Sequence, residues 1–138
     1  MKLTKKSEYA CLALVHLSQQ YGKDYVKIID ISERWSIPKK FLEQILITLK
    51  NSGYVKSKKG SEGGYKLTKP PQKITLAEII RLLDGPLAPV ESASKYFYEN
   101  TPIEQHKKLL KIFVDIRNYV SEKLENITFA DVIIPIRK

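Results

Sequence analysis

Residues 28–68 read IIDISERWSIPKKFLEQILITLKNSGYVKSKKGSEGGYKLT, and this stretch decides the fold. In its first half, apolar residues recur three or four positions apart on both sides of a break at Ser36-Ile37-Pro38. That spacing predicts a short helix over 29–35 and a second helix over 38–52, with Pro38 in the first turn, where a proline is tolerated. Two short helices joined by a tight break are typical of a helix-turn-helix.

The second half of the stretch predicts a β-hairpin. Residues 54–58 and 65–68 are strand-like, and residues 59–64, Lys-Gly-Ser-Glu-Gly-Gly, form a flexible basic turn between them. A hairpin directly after a helix-turn-helix is a wing. We therefore expect a mainly α fold with a small β-hairpin wing, in which residues 1–74 form a winged helix-turn-helix DNA-binding domain.

The sequence before this stretch predicts a buried first helix. Residues 9–17 are apolar nearly all round, so a helix over 4–21 should be covered on several sides, and residues 26–28 form a candidate short strand. Cys11 on this helix is either an inert buried thiol or a redox-sensitive one. His16 is either a satisfied core or interface side chain or a ligand.

Residues 75–138 predict a linker helix, a loop and a long dimerisation helix. The first is a helix from the capping box Thr75-Leu76-Ala77-Glu78 to about Asp84, followed by an irregular loop over 86–100. A long helix then runs from a second capping box, Thr101-Pro102-Ile103-Glu104, to about Glu125. A last short helix starts at Thr128-Phe129-Ala130-Asp131.

The long helix carries an apolar stripe with two interpretations. The stripe packs on the chain's own core, or it forms an antiparallel seam with a second copy, because a helix longer than a small domain usually needs a partner. The residues predicted for the dimer interface are Leu109, Phe113, Ile116, Val120 and Leu124.

The net charge of +9 lies entirely in the first half of the chain. Residues 1–74 contain 15 Lys and Arg against 6 Asp and Glu, whereas residues 75–138 contain 9 of each kind. This asymmetry favours a polyanion partner. Nucleic acid is favoured over an anionic membrane, because the lysines cluster in turns and at element ends rather than along an amphipathic helix. No apolar run is long enough to span a membrane and the start does not read as a signal peptide, so we expect a cytoplasmic protein.

Catalytic and metal-binding patterns are not found in the sequence. His16 and His106 are far apart and have no nucleophile or metal set beside them, and residues 60–64 lack the lysine–threonine ending of a phosphate loop. The single cysteine, Cys11, excludes a disulfide within the chain and a cysteine-built metal site. We expect no enzymatic activity, no metal and no cofactor.

Double-stranded DNA is therefore the expected partner. Lys39 and Lys40 in the first turn of the second helix are placed to meet phosphates, together with the positive end of the helix dipole. Glu43 is either a reader that accepts a hydrogen bond from a cytosine amino group or a partner in a surface ion pair with Lys39 or Lys40. Lys56, Lys58, Lys59 and Lys66 either place the wing along the DNA backbone or belong to a solvated hairpin, and the wing glycines would let its tip enter the minor groove closely. The full set of predicted DNA-binding residues is Thr4, Lys6, Lys39, Lys40, Glu43, Gln44, Lys58, Lys59, Gly60, Ser61, Gly63, Gly64 and Tyr65.

Five stretches of the sequence carry a family resemblance. They are Lys6-Ser7-Glu8-Tyr9-Ala10, Phe41-Leu42-Glu43-Gln44-Ile45, Gly63-Gly64-Tyr65-Lys66-Leu67, Ile74-Thr75-Leu76-Ala77-Glu78-Ile79-Ile80 and Leu83-Asp84-Gly85-Pro86-Leu87. In this order they resemble the IscR/CymR family of bacterial winged-helix regulators. The resemblance implies a homodimer, a long C-terminal dimerisation helix and a palindromic operator, with Glu43 at the base-reading position and residues 59–64 as the wing.

The resemblance departs from the iron–sulfur members of the family. Those members carry three cysteines in the loop after the Asp-Gly-Pro-Leu segment, whereas residues 88–94 contain none. Residues 85–91 look most like the CymR branch, the cysteine metabolism repressors, in which the signal comes through a partner enzyme. We therefore expect a sequence-specific, homodimeric transcriptional repressor without an iron–sulfur cluster. The alternative is a protein-interaction module regulated by binding a metabolic enzyme such as cysteine synthase. A small-molecule effector is compatible with the repressor hypothesis.

Overall fold

The fold consists of helices and one β-hairpin, in a computed structural model that describes residues 2–87, 93 and 100–134. The helices and strands of these residues are α1 (Lys5–Gln19), α2 (Ile28–Trp35), α3 (Lys39–Asn51), β1 (Val55–Lys58), β2 (Gly64–Leu67), α4 (Leu76–Asp84), α5 (Lys107–Glu125) and α6 (Phe129–Ile133), with 3₁₀ turns at Pro71–Lys73 and Pro102–Gln105. None of the described helices is long and apolar enough to cross a membrane.

The first helix is the centre of the fold. Thr4 caps α1, since its hydroxyl oxygen accepts a hydrogen bond from the backbone N–H of Ser7 at 3.2 Å. Ala13, Leu14 and other small and apolar residues of α1 are fully buried, and the helix packs against α2, α3, β2, α4 and α6. The prediction of a helix covered on several sides is confirmed.

A left-handed residue makes the turn of the helix-turn-helix. Ser36 has a φ of 56°, which ends α2, and the backbone N–H of Ile37 donates to the Ser32 carbonyl at 3.0 Å. Ile37 is buried, so the turn is anchored in the core. Pro38 is the N-cap residue of α3 rather than a member of its first turn, because its ψ of 126° is extended. The predicted start of the second helix is corrected by one residue.

The wing is an antiparallel hairpin, as predicted. Val55 pairs with Leu67 and Lys58 pairs with Gly64. The expected strand at 26–28 is reduced to one bridge, in which Val26 and Tyr65 exchange two backbone hydrogen bonds of 2.8 Å. It goes no further because α2 begins at Ile28.

The linker helix is fixed at both ends. The capping box at Thr75 and Glu78 is confirmed by both of its hydrogen bonds. Near the other end, the Arg81 guanidinium donates to the Ser121 hydroxyl at 3.0 Å and to the Glu125 carboxylate at 2.6 Å. These contacts hold α5 against α4.

The start of the long helix differs from the prediction. Thr101 gives no side-chain capping bond, and residues 102–105 form a 3₁₀ turn, so the second capping box is wrong. His106 caps α5 instead, because its Nδ1 accepts a hydrogen bond from the backbone N–H of Leu109 at 3.1 Å. The helix therefore has 19 residues, a length of about 28 Å at 1.5 Å per residue. The short last helix is confirmed, with Thr128 and Asp131 forming its capping box.

One main apolar core joins residues from both sides of position 74, the predicted domain boundary. Ile79 from α4 and Phe129 from α6 are fully buried in the same cluster as Leu14 and Leu46. A smaller cluster contains Ala77, Ile80 and Leu87, and Leu124 packs on it. The expected irregular loop at 86–100 lies mostly outside the described residues.

Candidate nucleic-acid interface

The exposed face of α3 is set by the residues that anchor its other face. Leu42, Ile45, Leu46 and Leu49 are all fully buried. At 100° per residue, this turns positions 40, 43, 44, 47 and 51 away from the core, and all five are exposed. The rings of Tyr9 on α1 and Phe41 on α3 pack edge to face, with their centroids 5.5 Å apart. This contact further fixes α3 against α1. The predicted reading face is thus displayed to solvent on a rigid support.

The N-terminus of α3 is suited to an anion. Pro38 provides no side-chain cap, and the first turn contains no acidic residue. Its first backbone N–H groups therefore have no side-chain acceptor from the N-cap residue, and the exposed Lys39 and Lys40 belong to the same turn. Uncapped N–H groups, the helix dipole and two cations together favour a phosphate at this end.

Glu43 is an exposed carboxylate on this cationic surface. It forms no ion pair with Lys39 or Lys40 among the described residues, where the ion pairs are Lys5–Glu8, Lys69–Glu78 and Arg81–Glu125. The surface ion-pair interpretation of Glu43 therefore has no support from the geometry. Gln44, beside it, keeps its side-chain amide free while its backbone carbonyl accepts the Thr48 hydroxyl at 3.1 Å.

The tip of the wing is basic and open. Lys58, Lys59, Gly60 and Ser61 are exposed, and Gly60 has a φ of 100° with open space around it. Behind the tip, Lys58 and Lys66 both lie over the ring of Tyr25, with the Lys66 ammonium 4.5 Å from the ring centroid. The ring orders two lysines on one face of the hairpin, so this face presents fixed positive charge.

Packing requires glycine at two positions of the wing. A Cβ on Gly63 would collide with the Lys58 carbonyl, and a Cβ on Gly64, whose φ is 144°, would collide with the Val26 carbonyl. Gly63 is buried, and Gly64 and Tyr65 are half-buried. Gly63 therefore lets the turn close on Lys58, and Gly64 holds the hairpin against the segment before α2, whereas Gly60 and Ser61 stay exposed at the tip.

Thr4 and Lys6 lie on α1, apart from the reading face of α3. The Thr4 hydroxyl donates to the Asp84 carboxylate, and its backbone N–H donates to the same group at 3.1 Å. Thr4 therefore ties α1 to the end of α4, and its side chain has no free donor for DNA. Lys6 is half-buried on the first turn of α1.

The exposed apolar stripe of α5 differs from the predicted one. Leu109 and Ile116 are exposed as expected, but Phe113 and Val120 are half-buried and Leu124 packs on the core cluster of α4. The exposed stripe is completed by Ile112, at 54% exposure, and Tyr119, at 75%. Positions 109, 112, 116 and 119 follow the a and d spacing of a heptad, which is the signal in the sequence that would have identified them.

Two side chains of α1 lie apart from the interface. The Trp35 indole N–H donates to His16 Nδ1 at 3.1 Å, and burial lowers the pKa of His16. His16 is thus a satisfied side chain that joins α1 to α2. Burial, together with the nearby Asp84 carboxylate, raises the pKa of the Cys11 thiol to about 11.

Comparison with known proteins places the fold among winged-helix regulators. A family model named Rrf2 and described as iron-dependent transcriptional regulator matches residues 3–135. The HTH-type transcriptional regulator CymR of Bacillus subtilis is 31% identical over 131 residues, which cover 95% of this chain and 88% of that protein. The solved structure of that global cysteine regulator superposes with a TM-score of 0.78 at 29% identity, over 96% of each chain. The IscR of T. potens superposes with a TM-score of 0.74 at 28% identity, over 96% of this chain and 86% of that one.

The residues of this chain do not fit an iron–sulfur cluster, although the family description names iron. The sequence has a single cysteine. Iron–sulfur clusters are held by sets of cysteine thiolates, so one cysteine cannot hold a cluster. Within the described ranges, no three His, Cys, Asp or Glu side chains lie close enough together to hold a metal ion.

Proposed function

We propose, from the premise that the chain belongs to the Rrf2 family of transcriptional regulators, that it binds a palindromic operator as a homodimer and represses transcription without an iron–sulfur cluster. The coarser prediction, a DNA-binding transcriptional regulator, is confirmed by the family, which does not favour the alternative of a protein-interaction module. We further propose that it acts in the cytoplasm, with residues 1–74 as its DNA-binding part.

The exposed polar face of α3 carries this proposal. It combines an uncapped helix start, two lysines and an unpaired carboxylate on a helix whose other face is fully buried. An α-helix of this kind fits the major groove of B-DNA. In this arrangement Lys39 and Lys40 contact phosphates, while Glu43 and Gln44 reach base edges.

The wing completes the contact. The exposed Lys58 ends β1 and the exposed Lys59 follows it, and Lys66 lies over the Tyr25 ring together with Lys58. Contacts of lysine with phosphate fix the register of the protein on the duplex but carry no sequence information. The choice of operator therefore depends on α3.

A homodimer is supported by the apolar stripe of α5. Four large side chains, Leu109, Ile112, Ile116 and Tyr119, are exposed along 11 residues of one helix. A contiguous apolar stripe of this size marks an interaction surface. Two copies joined along it by a two-fold axis would present two α3 helices to two half-sites, and such a dimer on an operator blocks access of the polymerase to the same duplex.

Selection of bound duplexes from a random library tests the proposal. The selected sites should be inverted repeats, and the logarithm of their affinity should fall linearly with the logarithm of salt concentration, by about 0.9 per phosphate contacted. Lys59→Ala should weaken all duplexes alike and reduce this slope by about 1. Enrichment of no sequence, or a variant lacking residues 60–64 that still represses the reporter of a selected operator, would contradict the proposal.

A further inference from the structure

We propose that Ile47 reads the C5-methyl group of a thymine in the operator, which makes it a further specificity residue beside Glu43 and Gln44. This inference rests on the proposed function, since it assumes that α3 enters the major groove. Its basis is an isoleucine that is 52% exposed in the middle of the recognition helix.

The position of Ile47 on α3 is close to the centre of the exposed face. It lies seven residues after Lys40, which is about two helical turns, so the two side chains are stacked nearly in line along the helix. Glu43 precedes it by one turn. The buried residues Ile45, Leu46 and Leu49 occupy the opposite face, and Ile47 belongs to neither apolar cluster of the described residues. Its side chain is therefore available to contact a partner that binds to the exposed face of α3.

The chemistry of the major groove offers Ile47 one apolar target. Among the base edges there, only thymine presents a methyl group, and the other groups are hydrogen-bond donors and acceptors. An isoleucine is stiff at χ1, so little conformational entropy is lost when it packs against that methyl. The neighbouring hydroxyl of Thr48 does not compete, because it is turned back to the Gln44 carbonyl.

The distance along the helix limits where the thymine lies. Glu43 and Ile47 are separated by four residues, or about 6 Å along the helix axis. Base pairs are stacked about 3.4 Å apart. The thymine is therefore expected within about two base pairs of the position read by Glu43, in each half-site.

The test replaces each thymine of a selected operator by deoxyuridine, which differs only by the missing methyl. Symmetry-related thymines are replaced together, and affinity is measured for the wild-type protein and for Ile47→Ala. Replacement of one symmetric pair of thymines should lower the affinity of the wild-type protein by about fourfold for each methyl contact, which is the loss expected for one buried methyl. Ile47→Ala should bind the thymine and deoxyuridine forms equally.

Two control variants separate this contact from other effects. Ile29→Ala removes a comparably exposed isoleucine, at 41%, from α2 and should keep the preference for thymine. Lys39→Ala should weaken both forms of the duplex by the same factor.

The outcomes distinguish the inference from the function on which it rests. Failure to select any duplex would remove the DNA-binding proposal and the inference together. Specific binding that is indifferent to deoxyuridine, or a methyl preference that survives in Ile47→Ala, would overturn the inference alone. A selected half-site that has no thymine within about two base pairs of the position read by Glu43 would also overturn the inference.

Discussion

Glu43 is the residue that we propose to contribute most to the choice of operator. A carboxylate near phosphates is repelled unless it accepts a hydrogen bond, and the cytosine amino group is the donor available in the major groove. We expect Glu43→Ala to lower the preference for the selected base by about 1–3 kcal/mol while binding to unrelated duplexes is kept or strengthened. Competition binding with operators mutated at single positions measures this change. An equal loss on every sequence would indicate that Glu43 only supports the helix.

Glu78 makes the stability of the fold depend on pH. Burial opposes its ionisation, but hydrogen bonds from the Thr75 backbone N–H, at 2.8 Å, and the Tyr54 hydroxyl, at 2.7 Å, outweigh burial. With the Thr75 hydroxyl and the Lys69 ammonium, they lower the pKa of Glu78. A lowered folded-state pKa contributes stability that is present above the ordinary value of 4.5 and is lost as the pH falls through the folded-state value.

The pH dependence can be assigned to Glu78 by substitution. We expect Glu78→Gln to be less stable than the wild-type protein at pH 7, with a difference that shrinks as the pH falls below about 4.5. Urea unfolding at a series of pH values measures it. The matched control is Glu62→Gln at the exposed wing tip, which should keep the pH dependence of the wild type. A constant difference between wild type and Glu78→Gln at all pH values would contradict the assignment.

At the scale of the element, the hairpin depends on where its backbone meets the segment between α1 and α2. Gly64 meets the carbonyl of Val26, and this contact joins β2 to the segment before α2. We expect Gly64→Ala to lower the free energy of unfolding by about 2–4 kcal/mol, because backbone rather than a mobile side chain must move. Gly60→Ala, at a positive φ but in open space, should cost about 1 kcal/mol. Denaturant unfolding compares the two variants, and equal losses would show that φ alone requires glycine.

The elements of the first half could be predicted because their signals are local. The apolar spacing of α2 and α3, the glycine turn and the Thr75 capping box each specify structure within a few residues. The errors arose where two local signals compete. Thr101 to Glu104 has the composition of a capping box, but its residues form a 3₁₀ turn and His106 caps the helix.

The parts of the site that sequence alone did not give depend on contacts between elements. Spacing identified an apolar stripe on α5, but only the packing of Leu124 on α4 shows which side is covered. Likewise, the backbone of Lys58 and of Val26 requires glycine at 63 and 64, and the composition of the turn does not show these contacts. Burial of one face of α3 leaves Lys39, Lys40, Glu43 and Gln44 exposed, as the spacing predicts, but Ile47 is exposed among them although its apolar side chain gives no such signal.

At the scale of the whole molecule, a series of contacts joins α5 to α1 and to the core that α1 shares with α3. Arg81 binds Ser121 and Glu125 of α5, and Asp84, one turn later on α4, accepts two hydrogen bonds from Thr4 at the start of α1. Phe129 of α6 is buried beside the same α1. The orientation of α5 is therefore fixed relative to α3. In the dimer that we propose, with two copies joined along α5, this orientation would set the separation of the two α3 helices.

This arrangement predicts that dimerisation and operator affinity are lost together. Ile116→Asp places a carboxylate in the middle of the exposed stripe, where a seam would have to bury it without a partner, at a cost of several kcal/mol. Sedimentation at micromolar concentration should then show a monomer, and affinity for the palindrome should fall to that of a single half-site. Asn118→Asp adds the same charge on the other side of α5, at an exposed position, and should remain dimeric. A dimeric Ile116→Asp protein would place the interface elsewhere, whereas a monomer with full operator affinity would show that the two reading helices bind without being joined.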